Sequence, residues 1–200
     1  MDTFATIAAR RSVKKFDPAH RMTEDEMNRL MEAVILSPTS FNIQNWRFVL
    51  VTDQDTKEAI KAKGWNQDQF SDCSLLVIVC GDRGAYNQDP MRYWANAAPE
   101  VRDILVPMIV GAYDDKPELQ RDENIRSGSL AAQTLMLAAR DMGYDSCPMV
   151  GFDFEAVGRI IGLPANHDIV MAITVGKALE GARPRGGQLP LDAVVVRDHF

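Results

Sequence analysis

Four cationic side chains lie within six positions near the start of the chain, in the segment ARRSVKKFD: Arg10, Arg11, Lys14 and Lys15. If this segment is extended, Arg10, Ser12 and Lys14 point to one side, because strand side chains alternate. A guanidinium, a hydroxyl and an ammonium group would then be aligned, and these are the donors that a phosphate and a polyol chain require. The simpler alternative is a solvated surface run of charges.

A second cationic pair, Arg183 and Arg185, lies near the carboxyl end in the segment ARPRGG. Pro184 favours an extended conformation at Arg183, and the glycines that follow allow close approach of the backbone. These arginines could bind the same anion as the amino-terminal cluster. The alternative is a flexible charged tail, and the two segments alone do not decide between them.

A polar loop, PTSFNIQN, lies between the basic segments and directly precedes an apolar run. Loops held by rigid elements are a usual place for ligands, and Thr39, Ser40, Asn42 and Gln44 are the hydrogen-bonding groups that this loop offers. Five aromatic side chains are candidates to cover a ligand, although packing in the core is their more common use: Phe41, Trp65, Tyr93, Trp94 and Tyr113.

The helices that would position these groups begin with a capping box. Thr23 and Glu26 have its spacing, and the apolar residues that follow repeat as one helical face. A short polar helix is predicted over roughly residues 55–63. A central helix packed on several sides is predicted over about 124–142, and residues 83–122, with four prolines, are predicted to be irregular helix.

Buried strands are indicated by short runs rich in β-branched and apolar residues. The runs are WRFVLVT, SLLVIVCG and DIVMAITVGKA, and SCPMVGFD is predicted to be a strand followed by a turn. They mix with the helices without a strict βαβ rhythm, which favours a single α+β domain over residues 1–200. The segment from about residue 180 onward is too long to fold back by itself, so we expect it to wrap a neighbouring surface.

The composition narrows the classes of function. The chain has 28 acidic and 22 basic residues and a net charge of −6, which argues against a broad nucleic-acid surface. Three cysteines without CxxC spacing, no secretory leader and no long apolar segment predict a cytoplasmic protein that does not enter a membrane. The cysteines are Cys73, Cys80 and Cys147.

Motifs for other chemistries are not found. The histidines have no metal-ligand spacing, and neither G-x-S-x-G nor a glycine-rich nucleotide-binding motif occurs. We therefore predict no metal site and no permanently bound dinucleotide. The histidines are His20, His167 and His199.

In order and spacing, the segments RRSVKKFD, SPTSFNIQNWRFV, PMVGFD and RPR resemble the oxygen-insensitive nitroreductase family of FMN-dependent flavoenzymes. The resemblance covers nearly the whole chain. It implies an α+β nitroreductase-like fold, with a central mixed sheet flanked by helices. It also implies a homodimer with two flavin sites at its interface, in which each domain-swapped carboxyl-terminal tail embraces the partner.

The resemblance also implies a role for each matching position. Arg10, Arg183 and Arg185 would surround the FMN phosphate, Ser12 would contact phosphate or ribityl oxygens, and Lys14 would lie at the N1 and O2 edge of the flavin, where a cation stabilises the reduced ring. The polar loop would come from the partner chain. The other implied cofactor-binding residues are Arg11, Pro38, Thr39, Ser40, Asn42, Gln44, Asn66, Gln69, Val150 and Gly151.

Three positions depart from the family pattern. Gln69 stands where many relatives have a second lysine, Asn45 where proline is commoner, and Val150 where close relatives often have glutamate. The flavin N5 contact at Val150 and Gly151 comes from backbone N–H groups, so a change of side chain does not remove it. For Asn66 and Gln69 the alternative is a polar connection between a helix and a strand.

The implied activity is transfer of hydride from NADH or NADPH to FMN, and then to a nitroaromatic or quinone-type acceptor. Exchange of the two substrates through one open site would give ping-pong kinetics. The nucleotide would be a transient co-substrate, and no side chain would act as acid or base. The alternatives are a specialised superfamily member, dehalogenase-like or flavin-consuming, and a noncatalytic flavin-binding or storage protein.

Overall fold

The computed structural model describes residues 2–200 as seven α-helices and four strands. The helices are α1 (Thr3–Ala9), α2 (Glu24–Val34), α3 (Gln54–Lys63), α4 (Gln69–Asp72), α5 (Pro99–Tyr113), α6 (Pro117–Asp141) and α7 (Phe154–Ile160). The strands are β1 (Trp46–Val51), β2 (Leu75–Asp82), β3 (Asp145–Met149) and β4 (His167–Gly176). Short 3₁₀ segments lie at 40–42, 85–87, 90–94 and 191–193.

The strands form one sheet in the order β1-β2-β4-β3, and each neighbouring pair is antiparallel. The expectation of a mixed sheet is corrected accordingly. Among residues 2–200 the parallel component is confined to an isolated bridge between Ser12 and Ser146. Because β1 and β3 are the edge strands, the loops before β1 and after β3 lie at opposite sides of the sheet.

Apolar residues cover both faces of the sheet, as the unbroken run in β2 predicts. Alternate residues of β2 enter different clusters: Leu75 and Val77 pack with α2 and α6, whereas Leu76 and Ile78 pack with residues of α3 and α7. All eight residues of β2 are buried. The core is therefore a central strand between two helical layers, which gives the loops at the sheet ends a rigid support.

The central helix α6 approaches the sheet closely because small residues face it. A Cβ atom on Gly128 would lie 2.6 Å from a methyl group of Val170, a contact that real side chains do not make. Ala131 and Ala132 are also buried in this interface. Large side chains here would push the helix away from β4.

The proline-rich middle of the chain is more regular than its sequence predicts. Pro99 and Pro117 begin α5 and α6, where the missing N–H has no partner to lose. Pro107 lies inside α5. Helix α1 was not predicted either; it is capped by the Asp2 side chain, which accepts from the Ala5 N–H at 2.9 Å. None of the helices within residues 2–200 is both long and apolar enough to cross a bilayer.

The capping box of α2 is confirmed, and it holds a strongly acidic carboxyl group. Glu26 accepts hydrogen bonds from the Thr23 N–H at 2.9 Å and from the Tyr144 hydroxyl at 2.7 Å. The Thr23 backbone bond, and after it the Tyr144 bond, lower the pKa of Glu26 from 4.5 to about 2. The ionised side chain therefore ties α2 to the connection between α6 and β3.

This pKa predicts the acid sensitivity of the fold. A carboxyl group with a lowered folded-state pKa stabilises the protein fully above its unfolded pKa, and the contribution disappears as the pH falls from about 4.5 towards about 2. We expect Glu26→Gln to lower the free energy of unfolding by about 1 kcal/mol at pH 7 and by much less at pH 3. Urea unfolding at several pH values measures this, with the exposed Glu32→Gln on the same helix as control. A pH-independent difference would contradict it.

Candidate cofactor site

The basic segment is extended, as its spacing predicts. Arg10 ends α1 with an extended backbone, and the Val13 N–H then donates to the Ser146 carbonyl of β3 at 3.1 Å. Val13 is buried, whereas Ser12 and Lys14 are exposed. The alternation places Ser12 and Lys14 on the open side of the segment, next to the edge strand of the sheet.

The carboxyl-terminal tail lies along the other side of this segment. Phe16 forms an antiparallel bridge with Ala178, and the Leu179 N–H donates to the Lys15 carbonyl at 3.0 Å. The Lys15 ammonium pairs with Glu180 at 2.8 Å. These contacts direct the following residues of the tail towards the end of α1.

Two hydrogen bonds then join the two arginine-containing segments. The Arg11 guanidinium donates to the Arg183 carbonyl, and Arg185 donates through Nη2 to the Ala8 carbonyl at 3.1 Å. In this way the structure brings together cations that are more than 170 residues apart in sequence. The interpretation of both segments as unrelated surface charges does not explain these contacts.

A cavity of about 320 Å³ lies between the segments, and we call it the basic cavity. Its wall contains Arg10, Arg11, Ser12, Arg183, Pro184, Arg185 and residues 186–188. The Nη1 atom of Arg10 is buried and has no acceptor among the residues that the structure describes. A buried guanidinium nitrogen that lacks a partner is costly, so the basic cavity has the chemistry of an anion site.

A smaller cavity of about 60 Å³ adjoins the basic cavity and shares Ser12 and Arg183 with it. Lys14, Lys15 and residues 180–182 complete its wall. The order of donors along the segment is thus guanidinium, hydroxyl and ammonium. This order suits a ligand with a phosphate at one end and an electron-rich ring edge at the other.

The turn after β3 carries Val150 and Gly151, and an aromatic ring lies against it. A Cβ atom on Gly151 would lie 2.4 Å from Cζ3 of Trp65, so glycine is required for the indole to rest there. Trp65 is nevertheless 74% exposed. Gln67, which the sequence did not single out, donates to the Gly151 carbonyl at 3.0 Å and fixes this turn.

Asn66 and Gln69 lie on the connection that carries Trp65, and neither is in the wall of the basic cavity. Asn66 has a left-handed backbone with φ of 54°, and its N–H donates to the Lys61 carbonyl at 3.1 Å. Gln69 is buried and donates to Gln67 at 3.2 Å. The amide of Gln69 therefore supports Gln67 and, through it, the turn at Gly151.

The polar loop has an unusual backbone. Phe41, Asn42 and Gln44 all have positive φ values, between 43° and 55°. The Gln44 N–H donates to the Thr39 hydroxyl at 3.0 Å, and Asn42 donates through its amide to the Tyr93 carbonyl at 2.7 Å. The loop is thus held in one conformation by short polar contacts.

Pro38, Thr39, Ser40, Asn42 and Gln44 precede β1, whereas the basic cavity lies beside β3. Strands β2 and β4 separate the two, and three strand spacings amount to about 14 Å. One chain therefore does not bring the polar loop to the basic cavity.

The aromatic candidates divide into two groups. Phe41, Tyr93, Trp94 and Tyr113 pack in one apolar cluster with α5, as the core interpretation predicts. Trp65 stands apart from them. Of the five candidates, it is the one beside the Val150 and Gly151 turn.

Asn45 explains how this loop is fixed without the commoner proline. The buried side-chain amide of Asn45 donates to Asn124 of α6 at 2.8 Å. The backbone carbonyl of Asn45 accepts from the Asp82 N–H at 2.8 Å. Asn124 in turn donates to Asp168 at 2.8 Å. A hydrogen-bonded network thus supplies the stiffness that a proline ring would give.

Comparison with known proteins relates the chain to one family. A family model described as the nitroreductase family matches residues 7–177. DrgA of Synechocystis sp. is 51% identical over 182 residues, covering 91% of this chain and 87% of that protein. MhqN of Bacillus subtilis, which has the name of an NAD(P)H nitroreductase, is 37% identical over 193 residues, covering 93% and 94%. A structure from Exiguobacterium sibiricum, described as a nitroreductase in complex with FMN, has a TM-score of 0.90 at 29% identity, covering 98% and 97%.

Proposed function

The chain belongs to the nitroreductase family. We propose that it is an FMN-dependent, homodimeric enzyme of the cytoplasm. It would transfer hydride from NADH or NADPH to nitroaromatic or quinone-type acceptors. Its fold is nitroreductase-like, and its relatives identify it as an oxidoreductase. The observation that most supports FMN is the basic cavity, whose wall includes Arg10, a residue with a buried Nη1 atom that lacks an acceptor among the described residues.

The phosphate of FMN would be held in the basic cavity. Arg10, Arg183 and Arg185 supply charge, and Arg11 fixes the tail through the Arg183 carbonyl. A phosphate dianion accepts several charge-assisted hydrogen bonds, and such bonds are about twice as strong as neutral ones. In a chain of net charge −6, local convergence of four arginines supports binding of a small anion.

The remaining donors lie in an order that matches the rest of FMN. Ser12 would contact the ribityl chain, and Lys14 would face the N1 and O2 edge of the ring. Backbone N–H groups of Val150 and Gly151 would point to N5. Gln67 and Gln69 then act as positioning residues, because they hold the Gly151 turn and its connection.

A second copy of the chain would complete each site. The polar loop is fixed at the opposite edge of the sheet from the basic cavity, so we expect it to contact a partner's flavin rather than that of its own chain. The tail after residue 180 is almost wholly exposed and carries an apolar stripe. Exposed apolar stripes of this kind mark interfaces. Its members are Leu189, Leu191, Val194, Val195, Val196 and Phe200.

When bound, FMN supplies the chemistry that accepts and returns hydride. The polypeptide contributes orientation and charge. Lys14 would place positive charge at the ring edge that becomes electron-rich on reduction, and the turn at Gly151, against which Trp65 lies, would hold one side of the ring. No side chain would need to move a proton, and successive use of one open face by the two substrates would give ping-pong kinetics.

Anaerobic titration tests the proposal as a whole. The purified protein is loaded with FMN and mixed with NADH or NADPH in the absence of an acceptor, and its visible absorbance is followed. We expect the flavin to bleach and to regain its colour when menadione or a nitroaromatic compound is added. A flavin that binds but is not reduced would identify a storage protein, and absence of flavin binding would refute the proposal.

Lys14 has a measurable role in this scheme. It is exposed and forms no ion pair with the residues that the structure describes, so its charge is available to a ligand. Lys14→Met should lower the two-electron reduction potential of bound FMN by about 30 mV, equivalent to ~1.4 kcal/mol. Dye equilibration measures the potential, with Lys63→Met as control. An unchanged potential would remove Lys14 from the ring edge.

A further inference from the structure

A third cavity lies beside the polar loop and is separate from the basic cavity. It has a volume of about 400 Å³ and is lined by Gln44, Trp46, Arg47, Arg92 and Tyr93. Two of these five residues are arginines, contributed by β1 and by the 3₁₀ segment at residues 90–94. We call it the Arg47–Arg92 cavity.

Arg47 is rigidly held at one side of this cavity. Its Nη1 atom donates to the Gln44 and Trp46 carbonyls, both at 2.9 Å, and its Nη2 atom donates to Asp82 at 3.1 Å. Asp82 also accepts from Gly84, Gln88 and Asn166. The negative charge of Asp82 is thus shared among several donors. Arg47 is oriented by its bond to the Gln44 carbonyl of the polar loop.

Arg92 is oriented but is not neutralised. Its Nη2 atom donates to the Tyr93 hydroxyl at 2.7 Å, and its guanidinium carbon lies 4.8 Å from the Tyr93 ring centroid. The Tyr93 hydroxyl is itself anchored, since it donates to the Ala85 carbonyl at 2.7 Å. No carboxylate lies within 4.0 Å of Arg92 among residues 2–200. Most of its five N–H donors are therefore available to an anion from solution.

We propose that the Arg47–Arg92 cavity binds a phosphate group of the nicotinamide dinucleotide. This inference rests on the proposed function. The cavity shares Gln44 with the polar loop. We expect that loop to contact the partner's flavin, so in the proposed dimer this cavity would adjoin the flavin site to which the nucleotide must come. Nitroaromatic and quinone acceptors need no phosphate contact, whereas NADH and NADPH carry a pyrophosphate, and NADPH also carries a 2′-phosphate.

The chemistry of the wall selects a phosphate. Guanidinium groups present planar N–H pairs that fit phosphate oxygens, and Arg92 is the guanidinium of this cavity whose donors are mostly free. Arg47 adds positive charge to the wall, although its terminal nitrogens already bond to two carbonyls and to Asp82. Because the whole chain has a net charge of −6, an anionic nucleotide would otherwise be repelled from most of the surface. A local positive cavity beside the entrance counters this repulsion.

Arg92→Gln tests the inference in the FMN-loaded enzyme. It removes the unpaired charge, while Tyr93 keeps its bond to Ala85. We expect the KM of the nucleotide to rise roughly 10-fold, with kcat and FMN affinity unchanged, and Arg92→Lys to restore part of the loss. Arg159→Gln, which removes one exposed arginine elsewhere, is the matched control.

The two phosphate sources give different results. An effect on NADPH alone assigns the cavity to the 2′-phosphate, and an equal effect on NADH and NADPH assigns it to the pyrophosphate. Calorimetric titration with adenosine 2′,5′-bisphosphate and with ADP gives a readout independent of turnover, and Arg92→Gln should weaken one or both. If Arg92→Gln matches Arg159→Gln in every measurement while flavin is bound and reduced, this inference fails and the proposed function stands.

Discussion

Replacement of Arg10 with methionine is expected to weaken FMN binding by roughly 10- to 150-fold, or about 1.5 to 3 kcal/mol, the range of a hydrogen bond to a charged group. Arg10 is partly buried, and its Nη1 atom lacks an acceptor among the residues described. Methionine keeps much of the aliphatic volume, so the substitution removes charge and donors but leaves the end of α1 packed. Fluorescence titration of the apoprotein with FMN measures the change.

The control separates a ligand role from a structural one. Arg29 is exposed on α2 and is not in the wall of the basic cavity, so Arg29→Met should leave FMN affinity unchanged. The apoprotein of Arg10→Met should be at least as stable as the unmodified apoprotein, because an unsatisfied buried nitrogen has been removed. Loss of stability with no loss of FMN affinity would show that Arg10 serves the fold rather than the cofactor.

Much of the fold followed from local signals. The capping box at Thr23 and Glu26 predicted α2, and the continuous apolar run predicted the buried strand β2. The prediction of irregular helix around Pro99 and Pro117 was wrong, because proline is found at the first position of a helix as well as at interruptions. These two residues begin α5 and α6. The direction of strand pairing depends on connections across the whole domain, so the antiparallel sheet had no local signature.

In the candidate site, too, local features could be predicted from the sequence and long-range contacts could not. The order of Arg10, Ser12 and Lys14 along an extended segment could be predicted, since it depends on alternation alone. The hydrogen bonds that join this segment to the tail could not, because Arg11 contacts the backbone of a residue 172 positions away. The hydrogen bond from Gln67 to the Gly151 carbonyl could not be predicted either, because the sequence around a polar amide does not indicate which distant group it will bind.

Asn45 shows why a departure from a family pattern need not be a loss. A proline at this position would restrict the backbone by its ring. The asparagine side chain instead bonds to Asn124, whose own amide reaches Asp168. The polar loop is therefore stiffened from α6, and the stiffness depends on a buried network rather than on a single residue.

Removal of the tail is expected to have the largest effect on assembly. A chain that ends at Leu179 loses Arg183 and Arg185 from the basic cavity and loses the exposed apolar stripe at residues 189–200. The sheet and the apolar clusters lie before residue 180, apart from the partly buried Ala182, so the shortened chain should still fold. We expect a monomer by light scattering and an FMN affinity lowered roughly 100-fold or more, since at least two charged contacts are lost.

The full-length double variant Arg183→Ala with Arg185→Ala distinguishes the two roles of the tail. It retains the apolar stripe, so it should remain a dimer while losing much of its FMN affinity. The shortened chain should lose both properties, because the polar loop of a partner can no longer be held beside the basic cavity. A shortened chain that still dimerises and binds FMN as tightly as the double variant would show that the tail contributes only its two arginines.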